Sequence, residues 1–307
     1  MPHPFVIVNT LNFNGKRLLD DCFNSYLQND YSNYEIVVVD NGSTDGSVEY
    51  IKEKFPQVKL ICSGSNLGYS AGMNIGLKYA FNERQADYVL VTNNDVRADR
   101  RVISELVACT QRHKEAGFVT GKVYYFDQPD VFQTVGKAGH PVLWRKGHIG
   151  TRKKDTGQYD IERELEWCDD IFMLVSREAY LQTGGYDTEF RFQAEDFDWQ
   201  VRIKQCGFRI YYTPHAKIWH KESMTLGRRS PLKAYYDARN PLIVHMKYRS
   251  PQQFKPYFYF RLWRNIKLSV IMFLRLRWWY LFKVWQGFFS ALRWGLINKK
   301  LQWRHFL

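Results

Sequence analysis

Four short apolar runs, separated by stretches of helical spacing, constrain this chain more than any other feature. They lie at residues 5–10, 35–40, 58–62 and 88–92. Between them, 16–28, 47–55 and 70–81 carry helix-period apolar residues, as in Leu18, Leu19, Cys22, Phe23, Tyr26 and Leu27. Strand and helix alternating at this interval predict a doubly wound, mostly parallel α/β sheet, because a parallel pair needs a crossover long enough to hold a helix. The run EIVVVD at 35–40 is nearly apolar throughout, as a strand covered on both faces must be. Ligands of such sheets sit at the carboxyl ends of the strands. Asn12, Asp40, Asn66 and Asp95 fall at or just past the expected strand ends, which marks that edge as a candidate site.

Each polar residue there has two readings. Asp40 opens DNGSTDGS and could accept hydrogen bonds from a nucleobase or ribose, or cap the next helix. Asp95 closes Asn93-Asn94-Asp95 and could offer an oxygen ligand to Mg2+ or Mn2+, or cap a helix starting near Asp99. Residues 66–74 (NLGYSAGMN) resemble a glycine-rich phosphate loop opening a helix, but hold neither GxGxxG nor GK[ST]. That disfavours a Rossmann dehydrogenase and a P-loop ATPase. Glu195-Asp196-Phe197-Asp198 sets three acids in four positions at the start of an expected helix over 195–206. Acids suit a first helical turn, and one of them could also act as a general base toward an acceptor hydroxyl. His220, soon after an expected strand at 208–212, is a metal ligand or a structural histidine. Residues 167–175 read as a strand and 176–183 as a helix. Residues 121–166 show weak periodicity and read as a strand followed by a variable loop or hairpin, placed to face an acceptor.

The charge is split along the chain. Of 44 Lys and Arg, 14 lie beyond Asp237, the last acidic residue, so the whole formal excess of +13 sits in the last seventy positions. Six of the ten tryptophans lie there too: Trp263, Trp278, Trp279, Trp285, Trp294 and Trp303. On a helical wheel from 261 to 293, Arg261, Arg264, Lys267, Arg275, Lys283, Gln286, Ser290 and Arg293 fall on one arc, with Arg277 outside it. This predicts an interfacial helix, or two broken near Gly287, on an anionic membrane surface through residues 251–307. A packing helix and a homo-oligomer interface are the alternatives. Nucleic acid is not expected, because Leu268, Val270, Ile271, Leu274 and Leu276 would have no role in a phosphate groove. No stretch has the length of uncharged apolar sequence a spanning helix needs. The start, Met1-Pro2-His3-Pro4, lacks the features of a signal peptide. Cys22, Cys62, Cys109, Cys168 and Cys206 are scattered without a CxxC pair, which favours a reducing compartment over a disulfide framework.

In order and spacing, six segments are similar to the family 2 glycosyltransferases of GT-A fold: VIVNTLNFNG (6–15), VVVDNGSTDGS (37–47), NLGYSAGMNIGL (66–77), VTNNDV (91–96), GGYDTEFRFQAEDFDW (184–199) and GFRIYYTPHAKIWH (207–220). They resemble most the bacterial branch that builds surface polysaccharides and includes rhamnosyltransferases. YYDARNPL (235–242) resembles the segment that follows in that branch. The resemblance implies Leu11, Asn12, Asp40 and Asn41 in the nucleotide pocket, Asp40 reading the base. It implies Asn66, Gly72 and Asn74 on the nucleotide-sugar side, beside Asn93 and Asn94. Asp95 matches the last position of the family's DxD motif, where it would bind Mn2+ or Mg2+; Asn93 replaces the first Asp. Asp196, in the Glu195-Asp196 pair, matches the inverting catalytic base. His220 matches a further metal ligand of some members, and Asp198 and Trp199 would shape the acceptor side.

The resemblance implies a catalytic domain over 1–230, with a nucleotide-sugar half at 1–98 and an acceptor half at 99–230. A helical membrane-association region would follow over 231–307. The expected activity is metal-dependent transfer, with inversion, from a nucleotide diphosphate sugar to a hydroxyl of a lipid-linked or polysaccharide acceptor. The expected place is the cytoplasmic face of the cell membrane. Rhamnose from dTDP-rhamnose is the first expectation for the sugar and a UDP-hexose the alternative. The competing reading is a catalytically weak nucleotide-sugar-binding scaffold.

Overall fold

The computed structural model describes residues 3–221 and 230–300. Trp303 and the rest of 301–307 therefore lie outside the described residues.

The N-terminal half alternates as β1 (Val6–Asn12), α1 (Leu19–Leu27), β2 (Tyr34–Asp40), α2 (Ser47–Lys54), β3 (Lys59–Cys62), α3 (Tyr69–Lys78) and β4 (Tyr88–Thr92). Then come β5 (Val96–Ala98), α4 (Val102–Arg112), β6 (Ala116–Tyr125), β7 (Gln128–Thr134), β8 (Lys137–His140) and β9 (Trp144–His148). The chain continues through β10 (Arg163–Leu165), β11 (Phe172–Ser176), α5 (Arg177–Thr183), α6 (Glu195–Gln205) and β12 (Arg209–His220). It closes with α7 (Pro231–Tyr248), α8 (Pro251–Leu274) and α9 (Trp278–Ile297).

The main sheet runs β3-β2-β1-β4-β11-β6-β12-β10, with β5 added to β12 and β7 to β6. It is mixed. Strands β3, β2, β1 and β4 are parallel, β11 enters antiparallel between β4 and β6, and β6 and β12 are parallel to each other. Helices cover both faces because successive strand residues point to opposite sides. Val6, Val8, Ile36, Val38 and Leu90 pack with Phe23, Tyr26, Ile51 and Leu106 of α1, α2 and α4. Ile7, Val37, Val89, Val91 and Met173 pack with Met73, Leu77, Ala179, Trp199 and Ile203 of α3, α5 and α6. Each buried Val, Leu, Ile, Phe or Met among them contributes about 1.5–3 kcal/mol.

This topology gathers distant segments on one edge. Strands β1, β2, β4, β6 and β12 all end there, and the antiparallel β11 begins there. The register pairs Asn12 with Asp40, Phe172 with Thr92, and His220 with Tyr125 and Val96.

The tail departs from its sequence reading in two ways. The helix break falls at 275–277, not near Gly287. Gly287 sits inside α9, pressed so close to α7 that a Cβ there would meet the Tyr235 carbonyl oxygen at 2.2 Å. The wheel also holds only in part: Arg264, Lys267, Arg275, Gln286 and Arg293 are exposed, but other members of the arc are not. Arg261 is buried and donates to the Asp237 carbonyl at 2.6 Å; Ser269 accepts from the Trp285 indole and Ser290 from the Tyr235 hydroxyl. Part of the polar arc thus faces inward, while Trp263, Ile266, Val270 and Leu274 face outward. Among the described residues no helix is long and apolar enough to cross a membrane.

Candidate active site

At the shared edge the ends of β1 and β2 are tied side by side. The Asn12 amide donates to Asp40 Oδ2 at 2.9 Å and to Ser43 Oγ at 3.1 Å, and Asn12 Oδ1 accepts from the Asn94 amide at 2.9 Å. Asp40 Oδ1 accepts from the Ser43 backbone N–H at 2.9 Å, closing the turn after β2. Next to this chain, Asn41 accepts from the Leu67 N–H at 3.0 Å, donates to the Gly68 carbonyl at 3.1 Å and reaches Asn66 at 3.4 Å. Gly72 allows the approach, since a Cβ there would lie 2.5 Å from Leu11 Cδ1. Asn12, Asp40, Asn41, Asn66 and Asn94 therefore form a polar wall, backed by the Leu11–Gly72 contact, with Asn93 alongside on the same loop.

Pairing of β5 with β12 brings Asp95 to His220. Both are buried, and Asp95 Oδ1 lies 3.0 Å from His220 Nε2 without a hydrogen-bond partner. His220 Nδ1 meets Gln133 Oε1 at 2.8 Å. With the Nδ1 proton given to Gln133, the Nε2 lone pair faces a carboxylate lone pair, an arrangement that a cation relieves. Two adjacent ligands of an octahedral ion with bonds of about 2.1 Å stand about 3.0 Å apart, so the spacing fits a divalent ion, and the imidazole beside the carboxylate suits Mn2+ better than Mg2+, which takes oxygen ligands.

Asn93 links this region to the next, because its N–H donates to the Ile171 carbonyl at 3.0 Å. Beside Ile171 lie Asp169 and Asp170, facing Glu195 and Asp196 at the start of α6. Two consecutive left-handed residues, Gln193 (φ 67°) and Ala194 (φ 70°), aim that helix. The Asn240 amide of α7 holds the strained turn by donating to the Phe192 and Gln193 carbonyls, each at 2.8 Å. Burial raises the Glu195 carboxyl well above its usual range, and Asp170 and Asp196 nearby raise it further. Burial also pushes Asp170 up to about 7, with Asp196 adding to the shift. Burial pushes Asp196 the same way, but the Arg145 and Lys137 charges outweigh it and hold Asp196 below the usual carboxylate range. Arg145 bonds Asp196 directly through Nη1, and Lys137 pairs with Asp169.

Residues 6–181 match the family model described as Glycosyl transferase family 2. The chain belongs to glycosyltransferase family 2. It is 29% identical over 213 residues to the N-acetylglucosaminyl-diphospho-decaprenol L-rhamnosyltransferase of Mycobacterium tuberculosis, covering 63% of this chain and 68% of the relative. It is 24% identical over 227 residues to the dTDP-rhamnosyl transferase RfbF of Shigella flexneri, covering 71% and 73%. The fold resembles the mannosyltransferase PcManGT from Pyrobaculum calidifontis in complex with GDP-Man and Mn2+ (TM-score 0.56, 19% identity, 95% of this chain and 76% of that one). It also resembles GalNAc-T7 with UDP, GalNAc and Mn2+ (TM-score 0.57, 17% identity, 78% and 51%). The architecture of this family 2 glycosyltransferase is thus GT-A.

Three residues expected at the site do other work. Asn74 clasps Tyr186, its Oδ1 accepting from the Tyr186 N–H at 2.9 Å and its amide donating to the Tyr186 carbonyl at 2.7 Å. That ties α3 to the loop before α6. Trp199 is fully buried against Phe118 and Tyr186, not on an acceptor surface. Asp198 is equally buried and accepts from Arg202 at 2.8 Å, Lys247 at 2.5 Å and Tyr248 at 2.8 Å, joining α6 to α7. The Asp198→Ala variant is expected to lose about 3–5 kcal/mol of stability by leaving buried cations unpaired. Urea unfolding reads this; an unchanged midpoint with altered acceptor use would return Asp198 to the acceptor side.

Sequence reasoning missed Lys137, Arg145, His148, Asp169, Asp170 and Gln133. Only the adjacent acids Asp169-Asp170 left a signal, and they were absorbed into the expected strand at 167–175, which begins at Phe172.

Proposed function

We propose that this enzyme is an inverting, metal-dependent rhamnosyltransferase that uses dTDP-rhamnose and extends a lipid-linked glycan at the cytoplasmic face of a membrane. The observation that carries the reading is the single edge on which the Asn12–Asp40 wall, the Asp95–His220 pair and the Asp196 carboxylate follow one another. The two rhamnosyltransferase relatives support the sugar, and family 2 members invert.

In this reading Asp40 and Asn12 hold the nucleoside, with Asn41, Asn66 and the backbone around Gly72 toward the diphosphate. Asp95 and His220 hold the cation, which when bound supplies positive charge against the leaving diphosphate. The Asp196 carboxylate takes the proton from the acceptor hydroxyl. The hydroxyl oxygen forms its bond to the anomeric carbon as the bond to the diphosphate breaks, and the electron pair leaves on the nucleoside diphosphate. Attack from the face opposite the leaving group inverts the centre.

The membrane part of the reading rests on surface chemistry. Among the described residues, 14 of the 18 large exposed apolar side chains lie between Tyr259 and Ile297, and no acid accompanies them. A lipid-linked acceptor explains why a nearly neutral catalytic body carries such a surface.

Thermal shift with UDP, dTDP and GDP, each with and without Mn2+ or Mg2+, tests the donor assignment. A metal-dependent rise is expected for dTDP, lost in Asp95→Ala. A rise with UDP alone would move the donor to a UDP-hexose. No rise with any nucleotide would overturn the donor assignment, and a rise without sugar transfer would put the scaffold reading ahead.

A further inference from the structure

The hairpin of β8 and β9 reaches the carboxyl cluster at the start of α6. It is pinned from outside the catalytic edge. Trp144 stands edge-on to Trp167, Phe197 and His245, with ring centroids 5.5–5.7 Å apart, and the Trp144 carbonyl accepts from the Trp167 indole at 3.0 Å. The next residue, Arg145, projects from this anchor to Asp196. Its guanidinium lies over the Phe197 ring, 4.6 Å from the centroid, so it is held from two sides.

We propose that Arg145 is the positioning residue of the catalytic base: from the β8–β9 hairpin it orients the Asp196 carboxylate and supplies the charge that keeps it a proton acceptor. This rests on the proposed transfer reaction and deepens it.

The surroundings of Asp196 make such a partner necessary. From its own helix it faces Glu195, and from the loop before β11 it faces Asp169, Asp170 and the Cys168 thiol. Tyr186 approaches from the loop before α6. The opposing cations are Arg145 and, 3.8 Å away, Lys137. Lys137 is already paired with Asp169, which His148 also approaches at 3.3 Å. Removing Arg145 therefore leaves a buried carboxylate beside the ionised Asp169, with Lys137 shared between them and the carboxyl groups of Glu195 and Asp170 close by. Like charges and burial both favour its protonated form, which cannot accept the acceptor's proton.

The test uses the full chain, with dTDP-rhamnose, the cation and a lipid-linked acceptor. Arg145→Gln is expected to lower kcat at pH 7 at least about tenfold, leaving donor KM nearly unchanged. The acid limb of its pH–rate profile should rise by about one unit or more, so that activity recovers on the alkaline side. Arg145→Lys keeps the charge and should return the limb toward its wild-type position. A second readout needs no turnover. Asp196→Asn should lower the thermal midpoint in wild type, where it strands Arg145, and raise it in the Arg145→Gln background, where it relieves repulsion. A limb that stays in place, or a kcat that rises, overturns the proposal, as does an Asp196→Asn effect of equal sign in both backgrounds. A wild type that turns over no nucleotide sugar sinks the transfer reading instead; the stability cycle still decides whether Arg145 and Asp196 act as one unit.

Discussion

Asp196→Asn should lower kcat for sugar transfer by about 10²–10⁴-fold while nucleotide affinity stays within about twofold, because general base catalysis contributes on that scale. The change keeps shape and hydrogen bonding but removes the proton acceptor. Asp196 differs from its neighbours in protonation state. Burial, with Asp170 and Asp196 nearby, pushes the Glu195 carboxyl well above its usual range, and Asp170 is pushed up to about 7, so both hold a proton more readily than Asp196 does. Asp196 is held ionised against its burial by Arg145 and Lys137. Its folded value is depressed, so its charged form persists well below neutrality and is lost only as the pH falls through that value. The wild-type acid limb should accordingly lie on the acidic side of pH 7. Asp169 is also held below the usual range, against burial, by Lys137 and His148, which makes Asp169→Asn the matched control. Transfer rates measured at saturating donor decide between them. A larger loss at Asp169 than at Asp196 would transfer the base role.

The contrast between these carboxyls also shows what a sequence can and cannot disclose. The edge at β1, β2 and β4 was legible because each apolar strand ends abruptly in Asn or Asp, and that boundary is local. The Arg145–Asp196 pair was not, because its partners stand 51 positions apart and Arg145 lies in a segment without period. Ion pairs impose no spacing on the chain between them. The insertion of β11 antiparallel to β4 is similarly non-local, yet it is what carries Asp169 and Asp170 to the site. Asp198 and Trp199 were misread for a different reason. Successive helix residues point about 100° apart, so an acidic run cannot present every member to one ligand. Asp196 faces the hairpin, Asp198 faces α7 and Trp199 faces the sheet. The tail failed by phase. A single wheel across 261–293 assumes one continuous helix, and the turn at 275–277 resets the register between α8 and α9. The polar residues then fall partly inside, where Asn265, Ser269 and Arg261 line the helix contacts, and bulky apolar residues are left outside.

That exposed aromatic surface sets the second large effect. Trp278, Trp279 and Phe282, at the α8–α9 turn, are 50%, 62% and 51% exposed. Lys283 lies over the Trp279 and Phe282 rings, and Arg275 and Arg277 precede Trp278 in the chain. A soluble helix hides its aromatic side; here that side is presented with cations at its rim, as an anionic lipid surface would require. Burying the exposed half of each ring in the interface is worth about 1 kcal/mol, so the three together contribute about 3 kcal/mol. Each basic side chain near anionic lipid adds about 1 kcal/mol more, and that part is screened by salt. Replacing all three rings by Ser should therefore lower partitioning onto vesicles containing phosphatidylglycerol by about a hundredfold at fixed salt. The same variant should keep its nucleotide-induced thermal shift, because none of the three belongs to a buried cluster. Its turnover should fall with a lipid-linked acceptor in vesicles and hold with a water-soluble acceptor fragment. Vesicle co-sedimentation across a salt series separates the apolar from the electrostatic part. Unchanged binding in the triple variant would place the docking surface elsewhere. A wild-type mass in solution that doubles, and returns to the monomer on the same three substitutions, would make this face an interface between two copies of the chain rather than a membrane contact.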